Sequence, residues 1–168
     1  MGPRALLRQQ RGVATIEFAF ASVFFFAILM VGLDFGVYAQ QNLKLGSAVE
    51  QGAMIAFNNR SGAVNTTQIG NYVTSMAGGT PTMSYRCNGS TDCSGTATQM
   101  CIGAPATSGG WPTFTSPNGT GSSATCTSGA TPGSYLVIRA TRTYQSVVVP
   151  NKYLSGGTMQ QQAVVRLS

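Results

Sequence analysis

Residues 11–38 read RGVATIEFAFASVFFFAILMVGLDFGVY, and between positions 18 and 33 they hold no charge, no proline and one polar side chain, Ser22. Crossing the hydrocarbon layer of a membrane takes about 20 mainly apolar residues at roughly 1.5 Å of rise each. Extended outward through Val13 and Ala39, this run is long enough to span with some tilt. A buried helix of a soluble domain would need a second apolar segment around it, and the chain offers none. The stretch therefore reads as a transmembrane helix. Its anomaly is Glu17, just inside the apolar run. An acid at the centre of a membrane helix costs about 2.5–3.5 kcal/mol, and less toward the interface. Such a carboxylate marks a functional residue by default and calls for a partner. Asp34, at the far end of the run, reads as a solvated boundary residue.

Beyond that helix, a chain of 168 residues has room for one modest domain. Charged residues make up 8% of it, against about 25% in ordinary soluble domains. The formal charge of +6 would suit nucleic acid, but Arg4, Arg8 and Arg11 lie in the first eleven residues and the other basic residues are scattered singly. No basic stripe exists, so nucleic-acid binding is not expected. The leading arginines instead place the N-terminus on the cytoplasmic side. Everything after Tyr38 is then exported, into the periplasm if the cell is Gram-negative. Cys87, Cys93, Cys101 and Cys126 all fall in that part. An even count in an exported, loop-rich region reads as a disulfide framework, with three pairings open. A cleaved secretory signal fits less well, because its apolar region would be only about 7–15 residues long.

Several chemistries are missing. The chain has no histidine, which removes Ser-His-Asp and Cys-His nucleophiles. Asp92 is the only acid after residue 57, so no carboxylate pair can serve a glycosidase there. The cysteine spacing C-x5-C-x7-C-x24-C is not a zinc pattern. No catalytic residue, metal or cofactor is expected.

Three parts follow along the chain. Residues 1–12 form a basic leader, 13–57 one continuous helix, and 58–168 an exported α+β head. Past the membrane, Leu45, Val49, Ala53 and Ala56 recur at helical spacing, with Ala48 and Gly52 on the same face and Asn58–Asn59 as the stop. A short helix is expected over 67–76, ended by Gly78–Gly79. Strands are expected over 82–86, over 135–149 with Pro150 closing it, and over 158–167 pairing back antiparallel. Between them, residues 87–133 form a long Gly/Ser/Thr/Pro-rich loop that disulfides could shape. Trp111 and Phe114 either anchor this loop to the sheet or serve as exposed contacts.

Gly12-Val13-Ala14-Thr15-Ile16-Glu17-Phe18, behind a basic leader, resembles the processing site of type IV pilin-like precursors. In that pattern the leader ends in Gly and Glu is the fifth residue of the mature chain. The wider segment RGVATIEFAF…GLDFGVYAQQNLKLGSAVEQGA is similar to the N-terminal domain of the TadE/TadG-like family, minor pilins or pseudopilins of the tight-adherence (Flp) pilus system. Residues 161–166 resemble that family's C-terminal strand more weakly.

The resemblance implies a pilin-like α+β fold: a long N-terminal transmembrane helix, then a small, mainly antiparallel head with a long disulfide-tied loop. It implies cleavage between Gly12 and Val13 by a prepilin peptidase of the inner membrane. The new Val13 amine then lies one turn from Glu17, within the chain or on a neighbour, and Glu17 and Phe18 help set the register of assembly. The implied partners are other pilin or pseudopilin subunits and the inner-membrane assembly platform, with entry into an extracellular pilus left open. The other reading leaves the helix uncleaved, with Glu17 paired to Arg11 or reaching the cytoplasmic surface. The chain would then be an anchored exported binding or adhesion protein. Third comes a soluble domain released by signal peptidase.

Overall fold

A computed structural model describes residues 4–60, 63–93 and 98–168 of the chain. The first three residues of the expected leader lie outside the described residues. Helix α1 runs Arg4–Asn58 without interruption. Its end matches the expected stop, but it begins inside the leader rather than near Gly12. Positions 5–11, Ala-Leu-Leu-Arg-Gln-Gln-Arg, are all strong helix formers, so nothing local delays the first turn.

The structure divides into two compact units, Met1–Ala39 with Gln145–Gly157, and Gln40–Tyr144 with Thr158–Ser168. The second unit holds the head. In it α1 buries Leu45, Ala48, Val49, Ala53 and Ala56, the face that the helical spacing marks out. Helix α2, Thr66–Ala77, begins where the Asn65 side chain accepts from the Gln68 amide and ends at Gly78 in the left-handed conformation. Its buried face, Ile69, Val73 and Ala77, meets α1 at Gly52. Tyr72 Oη donates to Gln51 Oε1 beside that crossing, at 2.9 Å.

Gly52 is required by this approach. A Cβ there would stand 2.6 Å from Val73 Cγ2 and 3.4 Å from Ile69 Cγ2. Val73 and Ile69 are β-branched and stiff at χ1, so neither can swing aside. Glycine in a helix costs about 1 kcal/mol relative to alanine, and the close packing outweighs that loss. Gly52→Val should therefore destabilise the head by about 1–3 kcal/mol through overpacking. A thermal midpoint unchanged or raised in this variant would show that the crossing is loose.

The sheet has the order β1-β4-β5, all antiparallel, from strands Thr82–Cys87 (β1), Tyr135–Thr143 (β4) and Thr158–Arg166 (β5). Strand β4 is central, and its Leu136, Val137, Ile138 and Ala140 are fully buried. Side chains alternate between faces along a strand. On the inner face, Tyr85 stands opposite Ile138 and its hydroxyl lies 2.8 Å from the place of a Cβ on Gly70 of α2. Gln161, opposite Ala140, donates to Asn42 Oδ1 of α1 at 2.9 Å. Arg142 donates to the Ala77 carbonyl at the end of α2, where a cation favours the helix dipole.

The outer face of β4 is covered by the long loop. This segment contains a short ladder between Cys101–Gly103 (β2) and Thr113–Thr115 (β3) and is tied by two disulfides. Cys87 pairs with Cys93 and Cys101 with Cys126, one of the three arrangements left open. Trp111 lies against two guanidinium groups, those of Arg139 at 3.9 Å and Arg86 at 4.5 Å from the ring centroid. Each such contact is worth about 0.5–2 kcal/mol, depending on exposure. Phe114 packs beside Tyr135 with ring centroids 6.3 Å apart. Arg139 and Gln160 both donate to the Gly109 carbonyl. Trp111 and Phe114 thus anchor the loop. Burial, reinforced by the charge of Arg86, lowers the Arg139 pKa below its ordinary value.

Strand β5 pairs with β4 as expected, Thr158 opposite Thr143 and Arg166 opposite Tyr135. Strand β4 itself differs from expectation. It stops at Thr143 rather than continuing to residue 149. The three valines before Pro150 have β-forming side chains, but their amides bind elsewhere.

Candidate functional site

The first unit carries two features, one toward each end of the apolar helix. None of the apolar window within Gly12–Asn58 is buried. Gly12, Val13, Glu17 and Phe18 are all exposed, with Phe18 at 75%. A Cβ on Gly12 would meet nothing within 4 Å. Residues four apart on a helix are neighbours on one face, about 5–6 Å between Cβ atoms. Val13 and Glu17 have this spacing and share one exposed face of α1. Phe18 is one residue further round the helix and presents its ring outward.

Asp34 is the second feature, and here the structure corrects the expectation of a solvated boundary residue. Its exposure is 4%. Three successive backbone amides converge on its carboxylate. Val147 N donates to Oδ1 and Oδ2 at 3.0 Å each, Val148 N to Oδ2 at 2.7 Å, and Val149 N to Oδ2 at 2.9 Å. A buried charge is tolerable only when hydrogen-bonded in this way, and each bond to a charged group is worth about 1.5–3 kcal/mol. This explains why β4 ends early: amides that pair with Asp34 cannot extend a ladder.

The loop around these amides is ordered by its own contacts. Ser146 Oγ donates to Asn151 Oδ1 at 2.7 Å, and Asn151–Tyr153 and Ser155–Gly157 form short 3-10 turns. No feature of Asp34 in isolation announces this arrangement, because its partners lie 113–115 positions away. The nearest signal is an acid at the edge of an apolar helix in a chain with only four acids.

In the head, the cysteines Cys87, Cys93, Cys101 and Cys126 are all bridged, and they form a scaffold rather than a reactive centre. Burial raises the Tyr85 pKa above its ordinary value. Among the described residues, no three His, Cys, Asp or Glu side chains are grouped so as to hold a metal ion.

A family model described as TadE-like protein matches residues 12–54. The match begins at Gly12, contains Val13, Glu17, Phe18 and Asp34, and ends among the buried positions of α1 in the head. It agrees with the TadE/TadG-like resemblance of the sequence. No curated protein and no solved structure matches the chain.

Proposed function

We propose that this protein is a minor pilin or pseudopilin that acts by assembly through its N-terminal helix rather than by catalysis. One observation carries the reading: the TadE-like match starts at Gly12 and covers a helix whose membrane-length apolar window is wholly unburied. Such a surface is satisfied by lipid before assembly and by other helices after it. The leader is removed between Gly12 and Val13 on the cytoplasmic side by a prepilin peptidase. The Val13 amine then pairs with Glu17, on its own chain or on a neighbour. A single polar pair in an apolar interface sets register, as a buried polar residue does in a coiled coil. The head lies on the periplasmic side of the inner membrane, where disulfides persist. Its partners are other pilin subunits and the platform that draws them from the membrane.

The experiment is the intact mass and N-terminal sequence of protein recovered from membranes, followed by an assembly assay of Glu17→Ala. A chain starting at Val13 is expected. The variant should lower the assembled fraction about tenfold or more, since about 1.4 kcal/mol lost from an intersubunit contact is a factor of ten. A start at Met1 would leave an anchored protein without pilin processing. A start beyond Tyr38 would make the helix a signal peptide. Normal assembly of Glu17→Ala would remove the carboxylate from the mechanism.

A further inference from the structure

Residues 145–157 form a loop with an exposed apolar surface. Val147 is 83% exposed, Tyr153 65% and Val148 47%, whereas Val149 and Leu154 are buried. The loop has no acid, and its single charge is Lys152, whose ammonium lies 4.9 Å from the centroid of the Tyr153 ring. It belongs to the same compact unit as the apolar helix. On that helix Val31, Leu33, Phe35 and Val37 are also exposed, on both sides of Asp34 along the chain.

We infer that this loop is a membrane-docking element, clasped by Asp34 and seated with Val147, Val148 and Tyr153 in the headgroup–acyl boundary of the leaflet nearer the head. The inference rests on the transmembrane reading of α1. Three observations favour lipid over another occupant. First, the hydrogen bonds to Asp34 fix the valine backbone beside the helix where its apolar run ends, so the exposed valines continue the lipid-facing surface of the span. Second, an unpaired amide entering an apolar layer is costly, and the three amides that would be most affected are already paired with Asp34. The same bonds explain why an acid stands at the membrane edge. Third, Tyr and Lys are the side chains that settle at such interfaces, with an apolar body below and a polar tip above. Lys152, the one charged side chain of the loop itself, also suits anionic headgroups.

The test uses the full chain in vesicles of phosphatidylethanolamine and phosphatidylglycerol, with a Trp111→Phe background and one indole introduced at a time. Val147→Trp reports the loop and Phe26→Trp the middle of the span. Lipids brominated near the headgroup end of their acyl chains should quench the indole from Val147→Trp by more than about half, as expected for a side chain at the interface. Adding Asp34→Ala should remove most of that quenching, and Asp34→Asn, which keeps one acceptor oxygen, should lie between.

Several results would overturn the inference. Quenching of Phe26→Trp by lipids brominated deep in the chains, with Val147→Trp unquenched, would place the loop outside the bilayer while the span stands. If that unquenched indole were also shielded from acrylamide, the occupant would be a second copy of the chain. Strong quenching untouched by Asp34→Ala would deny Asp34 its part in seating the loop. A Phe26→Trp indole that no brominated lipid reaches would remove the transmembrane reading itself, and the docking with it.

Discussion

Asp34→Ala should free the backbone of residues 147–149 and raise their amide exchange rates by about 100-fold or more. The substitution leaves three donors without their acceptor. Each buried donor left unpaired costs about 1–3 kcal/mol, and water recovers part of this if the loop swings out. A net loss of about 3 kcal/mol in local stability corresponds to slightly more than two decades in the opening equilibrium. Asp34→Asn keeps an oxygen where Oδ2 accepts from all three valine amides, so it should retain part of the protection. Exchange followed by mass spectrometry on the full chain separates the three cases. Protection in Asp34→Ala equal to that of the parent would mean that the carboxylate does not hold this backbone.

The second large effect belongs to the head. Cys101 and Cys126 are 25 positions apart and both buried, and one of them opens strand β2. In the chain-entropy account a loop of this length stabilises by about 3.5 kcal/mol, and the six-position span of Cys87–Cys93 by about 2 kcal/mol. The double variant Cys101→Ser with Cys126→Ser should therefore lower the thermal midpoint of the head by roughly 10 °C or more. Cys87→Ser with Cys93→Ser should cost about two thirds as much. Calorimetry or near-ultraviolet circular dichroism would read both, the latter through the Trp111 environment. Equal losses from the two pairs would mean that loop closure is not what the bridges contribute.

What the linear sequence revealed depended on how far apart the partners lie. The buried face of α1 was legible because Leu45, Val49, Ala53 and Ala56 repeat with the helix period. The β4–β5 pairing was legible from composition and from the turn residues between the strands, and the Gly78 cap followed from the residue type alone. The pairing of cysteines was not, since nothing local distinguishes three arrangements. The Trp111 contacts depend on Arg86 and Arg139 sharing one sheet face, which requires the β1–β4 register to be known. At Val147–Val149, β-branched side chains predicted more strand than forms. Composition reports what side chains prefer, whereas here a distant carboxylate takes the backbone amides. The family resemblance found residues 12–18 and did not assign Asp34 a role, although three backbone amides converge on its carboxylate.

The strand order β1-β4-β5 also governs the sequence of events as the chain is made. Among the described residues, strand β1 has no neighbour in its sheet except β4, so no ladder of that sheet can close until residues 135–143 have been delivered. Through that interval β1 presents unpaired edges, a state that invites misassembly during synthesis. All four cysteines precede residue 135, so both covalent loops can close while the sheet is still waiting for its centre. The bridges then shorten the effective separation between β1 and β4, the contact with the largest closure cost in the sheet. Oxidation before sheet formation should therefore give the productive route, with the reduced chain folding more slowly along the same topology.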